Sequence, residues 1–301
     1  MKILLLGKSG QLGWELQRAL APLGEVWAPG RAERGDLSQI GDLTDMAYES
    51  GAQVIVNAAA YTAVDKAEEA TEQERCMDIN AGAPAALAMV ARETGALLVH
   101  YSSDYVFDGN GDTPRDEEDS PGAESLYGES KAAGDFAVQT SGCAHLILRT
   151  SWVYGARGGN FAKTMLRLAA ERDSLRVVAD QYGVPTSAQF LVQHSLAAVH
   201  HCLQQEAEHQ AAPWGVYHLV PAGETTWHAY AQHVIGLAHA QGLPMKAKPE
   251  DVHPIRTEDY PLPAPRPKNS RLSTEKFQRA FGISLPAWQP SLPSVKTRTE
   301  L

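Results

Sequence analysis

Short runs of consecutive apolar residues punctuate the first half of the chain, at positions 3–6, 54–56, 97–101 and 146–148. Runs of this length, closed by turn or polar residues, predict strands buried on both faces. Helical spacing fills the intervals. Leu12, Leu16 and Leu20 recur every fourth position over 11–20, positions 81–94 are rich in alanine, and 126–139 forms a further candidate helix. Positions 25–27 read as a second strand, and 176–179 and 216–219 as later ones. Such alternation predicts βαβ units with right-handed crossovers. The fold class expected is therefore α/β, a doubly wound parallel sheet of the Rossmann type covered by helices on both faces.

The second half changes character. Pro254, Pro261, Pro263, Pro265 and Pro267 crowd a stretch that suits neither helix nor central strand, so a loop is expected there. A boundary falls near Thr150, with the chain crossing back later. At 301 residues the chain is long enough for two domains. Apolar residues at 44% and charged ones at 21% fit a folded globular protein and exclude a disordered one. The formal charge of −10 argues against nucleic acid as a partner, because neutralising phosphates requires a basic face. Cys76, Cys143 and Cys202 form no metal-like spacing and are expected as reduced thiols. The four apolar residues after Lys2 are too few for a signal peptide, and no apolar run approaches a membrane span. A cytoplasmic protein without a membrane partner is expected.

The sharpest local motif is Gly7-Lys8-Ser9-Gly10-Gln11-Leu12-Gly13, set between the first strand and the first helix. Glycines allow a tight turn and close approach of backbone to a pyrophosphate, and the helix N-terminus supplies free N–H groups. Dinucleotide binding follows. A site preferring NAD usually places an acid at the end of the second strand, where Arg31 stands here. A guanidinium suits a 2′-phosphate, so NADPH is favoured, with NADH as the lesser cofactor.

Tyr127 and Lys131 lie four residues apart, on one face of a helix. A free phenol titrates near ~10 and exchanges protons poorly at neutral pH; a neighbouring ammonium is expected to lower that value. Ser102-Ser103-Asp104 follow the fourth strand, at the end of the sheet where ligands of such folds lie. A hydroxyl there could bond a substrate oxygen while Tyr127 transfers the proton.

With these motifs in this order, the chain resembles the extended short-chain dehydrogenase/reductase family over nearly its full length. The segments that carry the likeness are 7–16 (GKSGQLGWEL), 56–68 (VNAAAYTAVDKAE), 100–109 (HYSSDYVFDG), 127–131 (YGESK), 149–155 (RTSWVYG), 160–169 (NFAKTMLRLA), 180–186 (DQYGVPT) and 266–272 (RPKNSRL). The resemblance is strongest to members that reduce 4-keto nucleotide sugars, and it implies NADPH-dependent reduction of dTDP-4-dehydro-L-rhamnose. It divides the chain into a cofactor domain over 1–149, returning at about 174–220, and a nucleotide-sugar part over 150–173 and 221–301.

It also implies roles. Tyr127 would donate the proton, Lys131 would bind the nicotinamide ribose and tune the phenol, and Ser103 would supply the hydroxyl where the family commonly has threonine. Gly10, Gln11 and Leu12 would contact the diphosphate, Asp36 and Leu37 the adenine side, and Ala58, Ala59 and Ala60 the middle of the cofactor. Asp104 and Tyr105 would contact the sugar, and Trp152 would line its pocket. The 266–271 stretch would lie near the substrate, with Arg271 neutralising the diphosphate. Some members form a magnesium-linked dimer through two glutamates. Glu15 matches the first, but Gln189 replaces the second, and an amide is a weaker ligand for a hard dication, so no metal is expected. Monomer and homodimer both remain open. A 4,6-dehydratase is disfavoured because Tyr105 stands where such enzymes carry the eliminating glutamate. A different dTDP-4-keto-6-deoxysugar reductase, or a non-catalytic NADP-binding regulatory subunit, are the alternatives. His194, His200 and His201 are read as ordinary helix residues, since their spacing makes no i, i+4 pair.

Overall fold

Five strands of the first half, β1 (Lys2–Leu6), β2 (Glu25–Trp27), β3 (Val54–Asn57), β4 (Leu97–Ser103) and β5 (His145–Thr150), join Gly215–His218 in one sheet. Every pairing in it is parallel. The computed structural model of the chain describes residues 1–292; positions 293–301, the end of the expected second part, lie outside the described residues. The strand order is Gly215–His218, β5, β4, β3, β1, β2. The chain thus runs from β1 outward to β2 and then returns to β3 on the other side. A crevice opens at such a reversal, beyond the carboxyl ends of the strands. Register aligns those ends: Leu6 faces Asn57, Asn57 faces His100, and Ser103 faces Thr150.

Alternation along the strands fills both faces. Leu5, Val56, Val99 and Leu148 pack under the helices Gln11–Leu20 and Ala188–Ala207. Leu6, Ile55, Leu98 and Ile147 pack on the other side, under Ile40–Ser50, Ala83–Thr94 and Leu126–Thr140. All eight side chains are buried, and each contributes roughly 1.5–3 kcal/mol of transfer free energy. The fourth strand runs two residues beyond the apolar run, because Ser102 and Ser103 continue the ladder against Arg149 and Thr150. The alanine-rich helix Ala83–Thr94 continues from a π-helical turn over Asp78–Gly82, and Pro84 sits just after that change of pitch.

The strand read at 176–179 forms as Leu175–Val178 but lies outside the main sheet, paired with Val252–Ile255. Arg176 is exposed between buried Leu175 and Val177, a half-buried pattern that a central parallel strand would not carry. Leu175 and Val177 instead pack with Ala231, Ile235 and Val252 in a small separate core. The chain therefore returns to the main sheet with the helix Ala188–Ala207, not near 174. A third cluster, with Val106, Phe107, Tyr154 and Tyr230, binds the smaller part to the end of the sheet.

The three cysteines are free and buried. His194 bonds the Phe190 carbonyl one turn back, His200 is exposed, and His201 meets Phe281 edge-on. Among the described residues, no helix is long and apolar enough to cross a membrane.

Candidate active site

The glycine loop crosses the top of β1 as a tight turn. Gly7 adopts φ +90°, and a Cβ there would stand 2.8 Å from the Ala58 carbonyl. A Cβ on Gly13 would stand 2.0 Å from the Gly7 carbonyl oxygen, so Gly13 lets the helix start press onto the loop. Gly10 caps the helix Gln11–Leu20 without any side-chain bond, which leaves N–H groups of the first turn for an anion.

Above this loop lies a cleft of about 910 Å³. Its wall includes Gly7, Gly10, Gln11 and Leu12 at the helix start, Arg31, Asp36 and Leu37 beyond β2, and Ala58, Ala59 and Ala60 beyond β3. Tyr127 and Lys131 close its far end. Of the residues expected to meet a cofactor, Gly13 is outside the wall and acts through packing. Ser102 Oγ and Thr150 Oγ1 also belong to wall residues, and both are buried with no hydrogen-bond partner among the described residues. An open helix start, a glycine cradle and unsatisfied hydroxyls along one groove fit an elongated anionic dinucleotide.

Ser125 caps the helix Leu126–Thr140 by accepting from Gly128 N–H at 3.2 Å, while Leu126 N–H donates to Glu68 at 2.9 Å. A Cβ on Gly128 would lie 2.2 Å from the Tyr105 carbonyl oxygen, so the helix seats tightly over the end of β4. One turn on, Lys131 is 2% exposed. Its Nζ donates to the Tyr101 carbonyl at 2.8 Å and lies 3.3 Å from His100 Nε2, leaving a third N–H for a ligand. Burial lowers its pKa to about 8, with Asp135 opposing. Asp135 in turn pairs with Arg149 at 2.9 Å in the interior.

Burial pushes the Tyr127 phenol well above its ordinary value, while the adjacent Ser103 hydroxyl pulls it down. This differs from the expectation that the lysine would lower it. The ammonium is engaged by a strand carbonyl, and desolvation of the phenolate dominates. Ser103 Oγ donates to Asp104 Oδ1 at 3.0 Å and accepts from Tyr105 N–H at 3.2 Å. Asp104 is buried, which raises its carboxyl to about 6 against the Ser270 and Ser103 hydroxyls.

A second cavity, about 420 Å³, lies in the smaller part. Tyr105 and Trp152 line it, together with Phe161, Trp227, Arg266 and Ser270. Trp152 takes φ +47°, a strained setting for a side chain of this size, and stacks on Trp227 with centroids 3.6 Å apart. Trp227 carried no local signal in the sequence. Arg271, expected at the diphosphate, points elsewhere: its Nε lies 2.5 Å from Glu224 and its guanidinium rests on the Tyr182 ring. It is absent from the cavity wall, where Arg266, Arg172 and Arg176 stand instead. Arg266 is fixed by Asp65 at 2.7 Å, a bond between the proline-rich loop and the short helix Val64–Ala67 beyond β3. Among the described residues no group of three or more His, Cys, Asp or Glu could hold a metal ion.

The model of the RmlD substrate binding domain matches residues 1–300. The dTDP-4-dehydrorhamnose reductase of Salmonella typhimurium is 48% identical over 292 residues, covering 96% of this chain and 95% of that protein. Among solved structures, the dTDP-4-dehydrorhamnose reductase from Clostridium acetobutylicum superposes with a TM-score of 0.84 at 35% identity, covering 97% of both chains. The Bacillus anthracis enzyme, solved in complex with NADP, gives 0.82 at 33% identity, covering 97% of this chain and 96% of that one. Similarity that runs from the glycine loop to the last strands of the smaller part, in sequence and in shape alike, makes this chain a member of the dTDP-4-dehydrorhamnose reductase family.

Proposed function

We propose that the chain reduces the 4-keto group of dTDP-4-dehydro-L-rhamnose with NADPH, giving dTDP-L-rhamnose. The observation that carries the reading is the contact between Tyr127, on the wall of the larger cleft, and Tyr105, on the wall of the smaller cavity. A half-buried phenol at the junction of a dinucleotide groove and an aromatic-lined cavity can serve a substrate held across both. Family membership and the NADP bound to the Bacillus anthracis relative support the same choice of cofactor and sugar.

When bound, the reduced nicotinamide supplies the hydride for sugar carbon 4. The other half of the reduction is a proton, and the protein's own groups account for it. Tyr127 is neutral at pH 7, as any phenol is, and its raised pKa only strengthens this, so it holds a proton to give to the 4-oxygen. Ser103 Oγ stands beside it, and its single hydroxyl proton, given to Asp104 in the free protein, turns to the 4-oxygen when the sugar is bound. Lys131 is largely protonated at neutral pH and sits one helical turn away, where its third N–H suits a ribose hydroxyl. Trp152 and Trp227 offer flat surface for the sugar nucleotide, and Arg266 takes the role of diphosphate counter-ion that Arg271 does not reach.

Incubation with NADPH and dTDP-4-dehydro-L-rhamnose tests the reading. One NADPH should be consumed per sugar, with dTDP-L-rhamnose as the product by NMR. Cofactor binding without sugar-dependent oxidation, or a product epimeric at carbon 4, would sink it.

A further inference from the structure

At the adenosine end of the larger cleft the protein holds an anion of its own. Glu33 Oε2 accepts from the Gly30 backbone N–H at 2.6 Å and from Lys8 Nζ at 3.0 Å. Lys8 belongs to the glycine loop, and Gly30 and Arg31 follow β2; all three line the cleft. The neighbouring Arg34 is taken by Glu49 at 2.7 Å, whereas Arg31 makes no ion pair among the described residues. The end of the second strand is where such folds distinguish a ribose 2′-hydroxyl from a 2′-phosphate. Two donors suited to a phosphate, one backbone and one ammonium, are thus spent on a carboxylate. That carboxylate comes two residues after the position where an acid is usually sought.

We infer that Glu33 sets the cofactor preference by competing with the 2′-phosphate for Lys8 and Gly30, so that Arg31 alone favours NADPH and the preference over NADH stays small. The inference rests on the reading that this cleft holds a dinucleotide. A carboxylate a few ångströms from a dianionic phosphate also repels it, through a solvated path that salt screens.

Glu33→Gln separates the contributions, because the amide oxygen still accepts from Gly30 N–H while the charge is gone. Calorimetric binding of 2′,5′-ADP and of 5′-AMP reads the effect without turnover. For Glu33→Gln, 2′,5′-ADP should bind about tenfold tighter at low salt, 5′-AMP should be unchanged, and the gain should shrink as salt rises. Adding Lys8→Met should abolish the gain. Equal shifts for both nucleotides, or none for either, would overturn the role of Glu33. If the wild-type protein binds neither nucleotide nor NADPH, the dinucleotide reading itself falls, and this inference with it.

Discussion

The ring of Tyr127 meets the ring of Tyr105 edge-on, with centroids 5.4 Å apart and planes at 80°. Two aromatic rings, one from each cavity wall, thus form the boundary across which a hydride acceptor and its donor would face one another. Gly128 makes the meeting possible, since any side chain there would strike the Tyr105 carbonyl and lift the helix. Replacing Gly128 with Ala is expected to lower activity strongly, measured as kcat with saturating NADPH, even though the phenol and ammonium are retained.

Lys131 gives a pH signature. Burial holds its pKa at about 8 in the folded chain, against 10.5 for the ordinary side chain. The folded state therefore releases its proton first, and the unfolded state binds more protons between those values. Stability from this group rises with pH across that window, by at most about 1.4 kcal/mol per pH unit. Denaturant unfolding at pH 7.5 and 9.5 should show that rise in the wild type relative to Lys131→Met. In the same window kcat/KM should fall above about pH 8, as the ammonium is lost.

Asp104 governs the acid side. Its carboxyl is raised to about 6 from 3.8 by burial, so the folded state binds more protons between those values. Its contribution to stability is fully present below 3.8 and is lost as pH rises through about 6. Protonation also removes the negative charge that makes Asp104 Oδ1 a strong acceptor for the Ser103 hydroxyl. A pH profile of kcat/KM should therefore drop below about pH 6 in the wild type. That limb should be absent in Asp104→Asn, whose plateau should be lower.

Two glycines make opposite predictions. A Cβ at Gly13 would stand 2.0 Å from the backbone of Gly7, whereas one at Gly41 meets nothing within 4 Å. Gly13→Ala should lower Tm and weaken NADPH binding by at least ~10-fold, through displacement of the loop from the helix start. Gly41→Ala, inside the helix Ile40–Ser50, should leave binding unchanged and raise stability by about 0.5–1 kcal/mol.

Trp227, the first residue of the helix Trp227–Ala240, holds Trp152 by stacking on it. Trp227→Ala should raise KM for the sugar nucleotide about tenfold or more, with the NADPH dissociation constant unchanged. A parallel loss of NADPH affinity would place the stack in the fold's stability and not in the substrate cavity.

The sheet and the glycine loop were legible because their signals are local. A buried strand needs an apolar run, and a pyrophosphate turn needs Gly7 and Gly10 at short spacing. The meeting of Tyr127, Lys131 and Ser103 followed from helix periodicity and from the rule that strand ends form the crevice. The direction of Arg271 was not legible. Arg266 and Arg271 share one loop and one chemistry, and what separates them is a carboxylate far away in sequence: Asp65 for one, Glu224 for the other. Trp227 was hidden for the same reason, as was the pairing of Leu175–Val178 with Val252–Ile255. The raised phenol of Tyr127 depends on burial, which spacing does not encode.

The most direct test of the account is Tyr127→Phe, which removes one oxygen and leaves the ring that packs against Tyr105. NADPH should bind Tyr127→Phe as tightly as it binds the wild type, while turnover of dTDP-4-dehydro-L-rhamnose falls by about 10²–10⁴-fold. Turnover within a few-fold of wild type at intact cofactor affinity would contradict the assignment of the proton to this phenol.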